Sequence, residues 1–182
     1  YVARWNGQEW TGVEALGTTV NSPAHETGPA PTTDGKRLYF SSNRDGTGND
    51  IFVSQRLEET PPDPGETTDE VAPEPVEPKN PANSGEAVAE LPPLPKFRNG
   101  EVVGHLNSSA EDLQTALTRR GNHVFLASDR DRNTESGFGV YFSRVINGEA
   151  LPPERVDLYL DKGDVTDPAV RMEGFDLLFS TN

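Results

Sequence analysis

The chain has 182 residues, a formal net charge of −14 and only 32% hydrophobic residues, so part of it is expected to lie outside any packed core. That charge argues against nucleic acid or an anionic membrane surface as partner, because such surfaces are met by clustered Lys and Arg and no cluster occurs. The absence of cysteine rules out a disulfide framework and a thiolate metal site, and no apolar run approaches the ~20 residues of a membrane helix.

The first residue is Tyr rather than Met, which reads as a processed or excised chain. Tyr1 to Glu9 resembles Tyr141 to Glu149: each is an alternating strand ending in Arg, an Asn-Gly hairpin turn, and the start of a second strand. Trp10 to Leu16 reads as an outer strand; of Trp5 and Trp10, one is expected to pack within the blade, with core favoured over the alternative of an exposed contact anchor for the other. Gly17 to His25 then connects to a strand over 27–33. Asp34-Gly35 is a tight-turn signal, Leu38 to Ser42 a short apolar strand, Asn43 to Asn49 a loop, and Ile51 to Ser54 a returning strand.

This unit recurs 86 residues on, where Gly121, Val124, Leu126, Ser128 and Arg130 stand in for Gly35, Leu38, Phe40, Ser42 and Arg44. Its returning strand is Val140 to Ser143, after three extra loop residues. A third copy begins 139 residues on, with Gly174 for Gly35 and Leu177 to Asn182 for Leu38 to Asn43.

Between 57 and 96 the character changes. The stretch holds ten of the 16 prolines and ten acidic residues against two lysines, with no aromatic residue. Ordering a residue costs about 1–2 kcal/mol of backbone entropy, and little here is apolar enough to offset it. The segment reads as a disordered or polyproline-like insertion. A host fold tolerates such an insertion because each doubling of a loop costs only about 0.6 kcal/mol.

After it, Phe97 to Val103 resumes as the fourth strand of the interrupted unit, and a first strand follows over 114–119. With the insertion removed, the repeat distances are about 46 and 53 residues, the length of a four-stranded propeller blade. With strands named A to D, residues 1–20 supply C and D of one blade, 21–103 and 107–160 are complete blades, and 164–182 supply A and B of another. The insertion leaves from a C-to-D loop. The fold expected is all-β: a partial β-propeller of about three four-stranded antiparallel blades, an arc of a larger ring completed by the remaining blades of a parent chain. A sandwich would also have short strands, but it has no reason to repeat the Ser-x-Arg tail after every second strand.

The run Asn21-Ser22-x-x-His25-Glu26-x-x-Pro29, with Asp34 to Arg44 and Asp50 to Ser54, resembles the TolB-type, WD-repeat-like β-propeller blade. The second copy departs from it, with Arg120 for the turn Asp and Asp112 for Glu26. The resemblance implies a non-catalytic binding or scaffold module of a bacterial envelope or secreted protein, periplasmic or extracellular, that contacts protein or polysaccharide through its loops. It also leaves open a propeller segment of an enzyme, either a prolyl-oligopeptidase-like hydrolase or a glycoside hydrolase.

In that architecture the D-to-A and B-to-C connections share one face. Asn21, His25, Glu26, Arg44, Asp45 and Asp50 would lie there beside Asn107, Glu111, Asp112, Arg130, Asp131 and Glu135. These are the candidate ligand- or partner-face residues, with the alternative, favoured by recurrence in every copy, that Arg44 and Arg130 each pair with a Glu or Asp of their own blade and brace its loops. Asp45 to Asp50 has alternating oxygens but lacks the full ligand set of a calcium loop. His25, His105 and His123 have no metal-ligand spacing, and no serine lies in a Gly-x-Ser-x-Gly elbow. No catalytic residue, metal or cofactor is expected.

Overall fold

A computed structural model describes residues 1–46, 48–58, 94–131, 137–158, 163–171 and 176–181. Residues 1–57 and 95–182 form one compact unit. The insertion expected at 57–96 falls almost wholly outside the described residues, as does Glu135. Among the described residues the structure is all-β, made of antiparallel sheets without a helix.

The first sheet pairs β1 (Val2–Trp5) with β2 (Trp10–Glu14). Asn6 holds the intervening turn by accepting the Gln8 and Glu9 amides on its Oδ1. The second sheet runs in chain order: β3 (Glu26–Pro31), β4 (Arg37–Ser42), β5 (Asp50–Gln55) and β6 (Glu101–Val102). In the third, β7 (Asp112–Leu117), β8 (His123–Ser128) and β9 (Gly139–Ile146) follow the same meander. There β10 (Glu149–Ala150) and β11 (Glu154–Arg155) both pair with β9. Last, β12 (Val165–Val170) pairs with β13 (Leu177–Thr181).

The central strands β4 and β8 are buried almost end to end, because both their faces are covered. Along β4, Leu38 and Phe40 turn toward Val20, Leu16, Phe52 and Phe97, whereas Tyr39 turns to the opposite side, where Ile51, Leu106, Val124, Leu126 and Tyr141 cluster. The second sheet is thus wedged between the chain's opening segment and the third sheet. Each fully buried side chain of this size stabilises the fold by about 1.5–3 kcal/mol.

The first strands of the three later sheets meet: β3 lies against β7, and β7 against β12. Each carries a bulge at the same repeat position, where the register shifts and one residue has a positive φ: Gly28 (58°), Gln114 (48°) and Asp167 (51°). The bulges join the strands. Thr115 Oγ1 donates to the Gly28 carbonyl at 3.2 Å, the Asp167 amide donates to Gln114 Oε1 at 3.0 Å, and Gln114 Nε2 donates to Asp167 Oδ1. A Cβ on Gly28 would sit 2.8 Å from the Gln114 Cα, so glycine is required there.

Several sequence expectations need correction. The fourth strand of the interrupted unit is not continuous over 97–103. Phe97 makes an isolated bridge to Arg56, and pairing resumes only at β6. The strand expected at 114–119 starts two residues earlier, because Asp112 pairs with Ser128. Trp5 and Trp10 are not core residues: they are 54% and 68% exposed, facing each other across the hairpin with ring centroids 5.6 Å apart.

Candidate functional site

Two clusters with the same wiring sit where the loops preceding the first strand meet those following the second. In the first, Arg44 Nη2 reaches Glu26 Oε1 at 3.2 Å and donates to the Val20 carbonyl at 2.5 Å, while Nε donates to Ser42 Oγ at 3.1 Å. Ser22 Oγ donates to Glu26 Oε1 at 2.5 Å, and the Ser22 amide to Oε2 at 3.1 Å. Ser42 Oγ adds a third contact to Oε1 at 3.0 Å. The guanidinium lies 5.0 Å from the ring centroids of both Phe40 and Phe52, a cation–π stacking worth about 0.5–2 kcal/mol.

Eighty-six residues on the pattern repeats. Arg130 Nη2 donates to Asp112 Oδ1 and to the Leu106 carbonyl, both at 2.6 Å, and Nε to Ser128 Oγ at 3.0 Å. The Ser108 amide and hydroxyl donate to Asp112 Oδ2 at 2.6 and 2.9 Å, and Arg130 lies 4.7 Å from the Tyr141 ring centroid. The local reason is shared: a serine four residues before the carboxylate turns the chain back onto it, and a serine two residues before the arginine takes the arginine's own amide.

Burial pushes the Glu26 carboxyl up, but hydrogen bonds from Ser22, Ser42 and Arg44 outweigh it and hold its pKa below the ordinary 4.5. A carboxylate held ionised in this way is suited to bracing and ill suited to donating a proton.

The other candidates divide between seam and surface. Asn107 bridges from the second complete unit to the first: its Oδ1 accepts the Ile51 amide at 2.7 Å and its Nδ2 donates to the Ile51 carbonyl at 2.9 Å. Its counterpart Asn21 has a buried Nδ2 with no hydrogen-bond partner among the described residues. Glu111 takes the Asn49 amide and Nδ2 at 3.0 and 2.7 Å on Oε2, again across the seam. Both contacts use Asn49 nitrogens, while its backbone carbonyl accepts the Asp112 amide at 2.8 Å.

Asp50 lies in β5, paired with Ser42 of β4. Asp131 is drawn away from the cluster, accepting Tyr141 OH at 2.6 Å and pairing with Arg155 at 3.3 Å. Burial, with that hydrogen bond and the Asp131 charge, raises the Tyr141 pKa well above the usual phenol value. His25 and Asp45 are exposed, although the His25 amide is tied to Asn43 Oδ1. Among the described residues no three His, Asp or Glu side chains converge as metal ligands would.

Sequence reasoning expected each arginine to meet a carboxylate of its own repeat, but it did not single out Glu26 or Asp112 and passed over the serines that hold them. The recurrence of Asn-Ser at 21–22 and 107–108 was the available signal. No protein-family model and no curated protein matches the chain.

Proposed function

We propose that the chain is a non-catalytic binding or scaffold module whose sheets are blades of a TolB-type, WD-repeat-like β-propeller. It would serve a bacterial envelope or secreted protein and contact a protein or polysaccharide partner through its loops. The observation that carries this reading is the meeting of β3, β7 and β12 at equivalent bulges, as the inner strands of neighbouring blades would meet. The repeated Arg–carboxylate–Ser wiring supports it as well, since a brace copied from blade to blade stiffens the loops beside it. Those loops then offer exposed groups, such as His25 and Asp45, that the bracing does not consume.

The test is capture. The immobilised chain is incubated with envelope extract and with a glycan array, alongside a His25→Ala/Asp45→Asn double variant that leaves both braces intact. Retention of a partner by the parent chain and its loss by the variant is the expected result. Blank results from both sources would defeat the reading, and so would equal retention by the variant.

A further inference from the structure

At the turn end of the two complete repeats, opposite the braced loops, lies a cavity of about 630 Å3. It is bounded by the Thr32–Tyr39 turn of one repeat, by the Arg120–Asn122 turn of the next, and by the hairpin of Asn147 and Gly148. That volume falls in the range of small-molecule sites, about 300–1,000 Å3. Its walls bridge two repeats, and Thr33 Oγ1 donates to the Arg119 carbonyl across the seam.

The charge of this cavity is the reverse of the chain's. In a protein of net charge −14, it is lined by Lys36, Arg37 and Arg120 against the single carboxylate of Asp34. Asp34 is committed to its own turn, where Oδ1 accepts Thr32 Oγ1 at 2.6 Å and the Lys36 amide at 3.0 Å. Those hydrogen bonds, Thr32 first, also hold its carboxyl pKa below the ordinary value.

Arg37 is placed rather than loose. Its Nη1 donates to the Gly148 carbonyl at 2.6 Å, and the guanidinium lies so close over Gly148 that a Cβ there would come within 2.5 Å of both Nη atoms. Its hydrogen bond goes to a neutral carbonyl and Asp34 meets its charge only through space, whereas Arg44 and Arg130 are each in direct contact with a carboxylate. A guanidinium fork pre-set in this way matches the geometry of a carboxylate or phosphate. Half-buried Val145 supplies apolar surface beside it, and the buried Tyr39 closes the floor.

We infer that this cavity is a binding site for a small organic anion bearing carboxylate or phosphate groups. The anion's charges would rest on Arg37 and Arg120, and its body against Val145. This site is independent of the partner face proposed above. It lies at the other end of the sheets and uses none of the braced residues.

Citrate and glucose 1-phosphate are the two anionic probes, with glucose as the neutral control. Each is titrated into the 15N-labelled chain at low salt. Saturable shifts at the Gly35, Gly121 and Gly148 amides are expected with at least one anion and with neither site nor saturation for glucose; which anion binds separates carboxylate from phosphate recognition. Arg120→Gln, an exposed substitution, is expected to weaken binding about tenfold or more, and Arg171→Gln, outside the cavity, to leave it unchanged. Arg37→Gln is read only if its amide spectrum otherwise matches that of the parent. The inference is overturned if neither anion gives saturable shifts at up to roughly 10 mM, if glucose binds as well as the anions, or if Arg120→Gln binds as tightly as the parent.

Discussion

The braces of the first and second complete repeats do the same work with carboxylates of different length. Glu26 keeps 12% of its side chain in contact with solvent and stands 3.2 Å from Arg44, whereas Asp112 is fully buried and 2.6 Å from Arg130. The longer side chain reaches Ser42, a contact that Asp112 does not reproduce with Ser128, whose hydroxyl serves Arg130. What both keep is the arginine, its carbonyl acceptor at Val20 or Leu106, and the serine four residues ahead of the acid. The backbone sets the frame, and the carboxylate can shorten if it sinks deeper.

That difference in depth should be measurable. Asp112→Ala leaves the Arg130 guanidinium largely buried and without its counter-charge, and is expected to cost about 3–5 kcal/mol in urea denaturation. Glu26→Ala, at the wetter brace, should cost about 1.5–3 kcal/mol, the range for hydrogen bonds to a charged group. Equal losses would erase the distinction. Gly28→Ala perturbs the seam and neither brace. With φ at 58° and the Gln114 backbone in the way, a loss of about 1–3 kcal/mol is expected, and its effect should add to that of Glu26→Ala if the two features are independent.

The pH dependence sharpens the same contrast. Because the Glu26 pKa is lowered in the folded state, its contribution is complete above the ordinary carboxylate pKa and is lost as pH falls through the depressed folded value. Glu26→Gln should therefore flatten the acid limb of the stability curve below about pH 4.5 while leaving its shape near neutrality unchanged. An unaltered acid limb would assign that dependence to other carboxylates. Smallest of all, Trp10→Ala, at an exposed pair remote from both braces, should change stability by about 0.5–1 kcal/mol.

Local chemistry made part of this legible. Asp34-Gly35 and Asn147-Gly148 are turns whose residue types carry their own geometry, and both form hairpins as expected, with φ of 53° and 83° at Asn147 and Gly148. The recurrence of Ser-x-Arg marked the braces, since a contact internal to each repeat is copied along with it. What the sequence concealed depends on neighbours. Nothing about Gln114 announces a positive φ, and only β3 and β12 on either side explain it. An aromatic residue is as compatible with a cross-hairpin surface pair as with a core, so residue type does not reveal that both Trp5 and Trp10 lie outside the core. The interrupted fourth strand was overextended because apolar residues at 97 and 103 do not reveal where a ladder breaks.

The mouth of the long insertion is stitched shut. Leu57 donates its amide to the Lys96 carbonyl at 2.8 Å, Arg98 donates to Gln55 at 2.8 Å, and Arg56 bridges to Phe97 between them. Such a stitched gap behaves as a socket: the two strands are already zipped before the chain departs, so an inserted segment acts on the fold mainly through the entropy of closing its loop. Replacing 58–95 with a four-residue hairpin turn should leave both braces intact and raise stability by about 2 kcal/mol through the shorter closure. The same position would then accept a fluorescent protein or an affinity peptide as readily as the native segment.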